Sequence, residues 1–361
     1  MKLAHQLAIF PFLVSLAAAQ EPVDTAASPV AGFQEFDCQG SADTVISVPF
    51  ERSVAFRGNA AAVAPGTSNA RSLVITLAGG DPGWNADALA GTHFIRFSNG
   101  NAAGRQFPVA GNSGAEIEIE IPEGHPPLNA EAGDPVDIVP FWTPASLFPV
   151  ATQATLHPSG GLLPGQRGSE LFVYPAGPVA PNASPDRVFF LTSTGWFEAA
   201  AGIPAADDAV IPPHAVLVIR HPDGADATIF RPAALVNASP SGVVLESRRG
   251  DTLDHHLSLS RPLPSTLGEL NFLPREFAPS PGLAPAQRRD LLLVFSNAVP
   301  THDPEPAATY FVKGGEWFRV EETGPPVAAA GDSLPAGASF VIRKAPTLNH
   351  QTTVWTQDPN L

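Results

Sequence analysis

Proline sets the first limit on this chain. Forty of its 361 residues are proline, spread from one end to the other, with 31 glycines among them. An internal proline removes a backbone donor and clashes with the preceding helical turn, so long helices are excluded. Only 15% of residues are charged, too few to clothe exposed helical faces. Proline and glycine together still fall short of the share that marks a disordered low-complexity chain. What remains is short strands closed by rigid turns. Pro49, Pro122, Pro140, Pro149, Pro212 and Pro335 stand at strand ends or turns, where a missing N–H is tolerated. The expected fold class is all-β: an N-terminal small β-barrel or sandwich followed by an internally duplicated β region.

The duplication is read from matched segments. Gly161-Leu-Leu-Pro-Gly-Gln-Arg167 parallels Gly282-Leu-Ala-Pro-Ala-Gln-Arg288, and Leu171-Phe-Val-Tyr174 parallels Leu292-Leu-Val-Phe295. Trp196-Phe197 and Trp317-Phe318 lie 121 residues apart, the same offset as the other pairs. Val218-Ile-Arg220 and Val341-Ile-Arg343 follow at an offset of 123. A period this long is a duplicated β unit and not a solenoid repeat. A weaker echo joins Val45-Ile-Ser-Val-Pro49 to His256-Leu-Ser-Leu-Ser260, as if each unit borrowed a leading strand from upstream.

Along the chain, Met1-Lys2, the apolar run Leu7 to Leu16 and Ala17-Ala18-Ala19 have the layout of a secretory signal peptide over 1–19, cleaved before Gln20. The alternative is a buried N-terminal helix, which Pro11 would interrupt. Residues 20–42, rich in Ala, Pro, Ser and Gly, read as a linker. An N-terminal β domain is expected over 43–155, a first repeat over 156–232, a connecting segment with strands over 233–280, and a second repeat over 281–361. Ser72 to Leu77, Thr92 to Phe97, Ala115 to Ile121 and Asp134 to Val139 are expected strands, with Thr143 capping a short helical turn that Pro144 begins. The single cysteine, Cys38, can form no internal disulfide. It is either a small buried residue or a free thiol, and its place near the start suggests a minor role.

Val48-Pro-Phe-Glu-Arg-Ser-Val-Ala-Phe-Arg-Gly58 and the stretch from Gly133-Asp-Pro through Trp142-Thr to Leu147-Phe-Pro149 carry a family likeness. With the doubled Trp-Phe hairpins, the Val-Ile-Arg strands and Trp355, they resemble a family of exported proteins of unknown function, found in many paralogous copies in Verrucomicrobia. The resemblance spans most of the chain after the leader. It implies export and a β-rich build, and no site residues.

The net charge of −15 argues against nucleic acid as a partner, since binding phosphates needs a basic surface. No second apolar run reaches the length of a membrane-spanning helix. No G-x-S-x-G elbow and no H-E-x-x-H motif occurs, so no catalytic residues are assigned and enzymatic activity is not expected. Three clusters stand as candidates beside plainer readings. Asp251, Asp254, His255 and His256 form the densest set of metal-ligand types, or else a solvated loop. In His221-Pro-Asp223-Gly-Ala-Asp226 the two carboxylates could offer oxygens to calcium, or the stretch forms a polar turn. Glu116, Glu118 and Glu120 share one strand face, or are the wet side of a sheet. Trp196 and Trp317, at matching places, are candidate ligand-binding residues able to stack on a sugar ring, or else core residues. Asn182 and Asn237 begin glycosylation-type tripeptides. The expectation is an exported, non-enzymatic β protein that binds or assembles in the periplasm, at the surface or in the medium, with a glycan or envelope protein as candidate partner and no cofactor. A carbohydrate-binding accessory and a hydrolase with an unrecognised site are the alternatives.

Overall fold

The computed structural model describes residues 30–174 and 177–358. The leader over 1–19 and the first part of the linker lie outside the described residues. The described chain is almost entirely β, with one short α-helix, Pro144–Leu147. That helix is capped as its sequence predicts: Thr143 Oγ1 accepts from the Ser146 N–H, and Ser146 Oγ accepts from the Thr143 N–H.

Six strands close into a barrel in the order Pro135–Pro140, Phe56–Pro65, Ser72–Leu77, Glu116–Glu120, Gln106–Ser113 and His93–Phe97. Alternation decides which side chains fill it. Ile117 and Ile119 point inward with Ile75, Ile95, Phe97, Phe107, Val136 and Ile138, all nearly or fully buried. Glu116, Glu118 and Glu120 take the opposite side of the same strand. Phe56–Pro65 is the strand with least sequence signal, since its run of alanines carries no strand propensity.

The rest of the chain builds two larger sheets. The first runs Gly195–Glu198, Arg187–Thr192, Glu170–Tyr174, Val216–Arg220 and Asp43–Ile46. The second contains Glu316–Arg319, Ala308–Lys313, Leu291–Val294, Ser339–Lys344 and Leu253–Ser258 in the corresponding order, with a two-residue strand added at each edge. Each hairpin pairs a phenylalanine with a phenylalanine: Phe190 with Phe197, and Phe311 with Phe318. Two separate cores lie beneath. One gathers Leu171, Phe189, Trp196, Leu217 and Ile219. The other gathers Leu292, Tyr310, Trp317, Phe340, Ile342 and Trp355.

Two sequence boundaries move. Asp43–Ile46 does not join the barrel but pairs with Val216–Arg220, adding the fifth strand of the first sheet. Residues 31–38, expected as linker, form two strands, Ala31–Phe33 and Phe36–Cys38, paired with Ala233–Val236 and Thr228–Phe230. Cys38 is accordingly a buried core residue. Both shifts come from long-range pairing, which local composition does not record. The barrel in turn touches the second sheet's surroundings closely at one point. The Gly242 N–H donates to the Gly104 carbonyl at 2.8 Å, and a Cβ at either glycine would sit 3.0 Å from the other's backbone.

Candidate ligand-binding site

Val216 and Val218 lie on the face of the first sheet turned away from its core, and Leu293 and Val341 do the same in the second. Period-2 alternation forces this, because Leu217, Ile219, Leu292 and Ile342 have taken the core positions. The two outer faces bound a cleft of about 310 Å³. Its apolar wall includes Val45, Val216, Val218, Leu293, Val341, Tyr174 and Phe295, and the Tyr174 ring lies 4.8 Å from the His256 ring.

Two ion clusters of matching design flank the cleft. Arg220 grips the carboxylate of Asp43 with two bonds, Nε to Oδ1 at 2.7 Å and Nη2 to Oδ2 at 2.6 Å. The same Nη2 reaches Asp303 Oδ1 at 2.5 Å. Arg343 grips Asp254 with Nε to Oδ1 at 2.7 Å and Nη2 to Oδ2 at 2.8 Å, and its Nη2 also reaches Asn182 Oδ1 at 2.8 Å. The loops cross over: Asp303 belongs to the stretch after Leu291–Val294 yet serves the first sheet, and Asn182 belongs to the stretch after Glu170–Tyr174 yet serves the second. Their backbones follow suit. The Asp303 N–H donates to Asp43 Oδ2 at 2.9 Å, and the Asn182 N–H donates to Asp254 Oδ2 at 3.1 Å. Both residues hold left-handed backbone, φ 51° and 57°, a region that Asn and Asp tolerate better than most.

The charges are strongly held. Burial alone would raise the Asp43 carboxyl, but bonds from Arg220, the Asp303 N–H and His302 outweigh it and leave it below the usual range. The Arg220 and Arg343 guanidiniums are pushed up by their bonds to Asp43 and Asp254 respectively, against burial. Burial lowers the His256 imidazole, with Asp254 acting the other way and Arg343 adding to the lowering. Burial, then the Asp43 carboxylate, raise the Tyr174 phenol, with Arg220 opposing and Asp303 adding. Asp43 and Asp254 thus have both oxygens taken up by a guanidinium.

Trp196 and Trp317 do not reach solvent. Trp196 is fully buried and donates Nε1–H to the Phe148 carbonyl at 3.2 Å. Trp317 packs among Phe272 and Phe277. Both are core residues, and the half-buried partners on the other face are Phe197 and Phe318. The four residues proposed as a metal set do not converge. Asp254 and His256 face the cleft, while His255 points to the opposite side of the strand with its Nε2 at the Glu246 backbone. Asp251 is exposed in the preceding turn. Among the described residues no three His, Cys, Asp or Glu side chains stand close enough to share an ion. His221 is buried in hydrogen bonds to Ser169 and Thr228, away from the exposed Asp223 and Asp226. Sequence reading missed Tyr174, Asn182, Asp303, Arg220 and Arg343 as site residues. Tyr174 and Phe295, like Asn182 and Asp303, lie 121 residues apart, the offset of the matched segments, and that was the available signal.

A second polar cluster joins the barrel to both sheets. His214, at φ 62°, has Nε2 at 2.8 Å from Ser241 Oγ and 3.0 Å from Gln106 Nε2, and Nδ1 at 3.0 Å from Ser260 Oγ. It borders a small pocket of about 70 Å³. Burial pushes its imidazole down to about 4.

No protein-family model, curated protein or solved structure matches the chain.

Proposed function

We propose that this is an exported, non-enzymatic binding protein whose ligand is a small molecule seated between the two large sheets. The observation that carries the reading is the cleft itself: an apolar wall drawn from both sheets, bordered by charged groups most of which are already paired with one another. Its volume lies at the lower end of small-molecule pockets, which pair apolar walls with a few placed polar groups. The saturated aspartates favour binding over acid–base chemistry, because a general acid or base must be free to exchange a proton. Export rests on the leader-like N-terminus. The test is fluorescence of an uncharged probe, N-phenyl-1-naphthylamine, against the chain and against Ala183→Trp, which plugs the mouth from an exposed loop. Enhancement that disappears in a folded Ala183→Trp variant supports the cleft. Enhancement that is absent, or indifferent to the plug, overturns it.

Hydrolysis is a second reading, favoured by one observation, the Ser241–His214–Ser260 contact. Two features weigh against it. Ser241 is only 3% exposed, and the group orienting the imidazole is a hydroxyl where a triad carries a carboxylate. Covalent labelling of Ser241 by a fluorophosphonate would establish this reading, and a chain that stays unlabelled would remove it.

A further inference from the structure

The ligand's charge can be read from the same cleft, so this inference rests on the binding reading above. Asp43, Asp254, Asp303 and Glu305 border the space, while Arg220 and Arg343 are the cations beside it. Imidazoles aside, four negative charges face two positive ones. Both arginines are largely engaged: each holds a buried aspartate through Nε and Nη2, and the same Nη2 also reaches Asp303 or Asn182. In each arginine only Nη1 is left without a protein partner among the described residues, so it is the excess of carboxylates around the space that bears on the ligand's charge. The carboxylates are placed differently. Asp303 is 85% exposed at its side chain, and Glu305, also exposed, has no basic partner among the described residues.

We infer that the cleft selects a small cationic amphiphile, an apolar body carrying one ammonium group, over its neutral and anionic counterparts. The body lies against the valines, Leu293 and the Tyr174 and Phe295 rings. The ammonium sits at the mouth near Asp303 and Glu305. Low-dielectric walls concentrate the net negative field in such a space, and aromatic faces add attraction for a desolvated cation.

Three probes with one body separate charge from shape: 3-phenylpropan-1-amine, 3-phenylpropan-1-ol and 3-phenylpropanoate. Calorimetric titration of the full chain at pH 7 and low salt should show the amine binding at least about tenfold tighter than the carboxylate, with the alcohol between them. The gap should narrow in 0.5 M salt, where a partly exposed charge is screened. Asp303→Asn/Glu305→Gln should cut the amine's advantage severalfold and leave the alcohol unchanged, and Glu305→Gln alone, at an exposed side chain, controls for folding. If the carboxylate binds as tightly as the amine, and Ala183→Trp abolishes both, the charge inference fails while the cleft reading stands. If no probe binds, or binding survives Ala183→Trp, both fail.

Discussion

Acidification from pH 7 to pH 5 is expected to destabilise this fold through three imidazoles, His214, His221 and His255. Burial pushes each of them from 6.5 down to about 4. His221 shows the cause most clearly. Its Nε2 faces Thr228 Oγ1, whose own hydroxyl proton goes to the Thr155 carbonyl at 2.7 Å, so Nε2 must carry the proton and donate. Its Nδ1 then accepts from Ser169 Oγ at 2.7 Å. A second proton on Nδ1 would meet a hydroxyl already accepting from the His157 N–H, with no carboxylate among its direct contacts. The unfolded chain takes up a proton near pH 6.5 and the folded chain only near pH 4. Between those values the unfolded state binds more protons, so stability falls as pH falls. At pH 5 the loss is about 2 kcal/mol per histidine, or about 6 kcal/mol for three. That is a large part of the 5–15 kcal/mol typical of a native protein. Relief of repulsion in a chain of net charge −15 acts the other way, so a drop cannot come from that source. Urea midpoints measured at half-unit steps from pH 7.5 to 5 would show the fall. His221→Gln should reduce the pH dependence by about a third, while shifting the pH 7 midpoint through its imperfect hydrogen bonds. A midpoint flat from pH 7 to 5, or an identical slope in His221→Gln, would refute the reasoning.

Other consequences follow from burial and pairing. Trp196→Ala should destabilise by about 3–5 kcal/mol, as for other buried large-to-small changes, whereas a sugar-stacking surface residue would leave the denaturation midpoint nearly unchanged. Arg343→Ala strands the buried Asp254 carboxylate and should cost about 2–4 kcal/mol at pH 7, read by thermal unfolding; Arg343→Lys should recover only part, lacking the bidentate fork. Gly104→Val should lower the melting temperature by several degrees, because its φ of 79° and the nearby Gly242 nitrogen leave no room for a side chain. Under the export proposal, N-terminal sequencing of chain recovered from the producing cell's envelope or medium should begin at Gln20, and a retained Met1 would refute it.

Much of the local architecture was legible in the residues. Ser72–Leu77 occupies its expected span, Glu116–Glu120 alternates isoleucine inward and glutamate outward, and Thr143 caps the helix that Pro144 starts. Those features depend on neighbours in sequence, where periodicity and capping act directly. The offset of 121 placed Trp196 and Trp317 on corresponding strands, although it could not say which of Trp and Phe turned inward. Alternation leaves two options per hairpin, and only the packed core against Phe148, or against Phe272 and Phe277, chooses between them.

The cleft was beyond local reading. Asp43 and Arg220 are 177 residues apart, and Arg343 meets Asn182 across 161. No pattern within a short window carries such a partner. The sequence by itself determined short proline-bounded strands, one capped turn and the two Trp-Phe hairpins. The echo of Val45-Ile-Ser-Val-Pro49 in His256-Leu-Ser-Leu-Ser260 had hinted at the leading strand of each sheet, but tertiary structure decided that the tryptophans go to the cores and that the two outer faces meet around an acidic cleft. The reason is physical: strand formation and turn chemistry act between neighbours, while the choice of sheet partner, buried face and ion pair depends on groups that only the folded chain brings together.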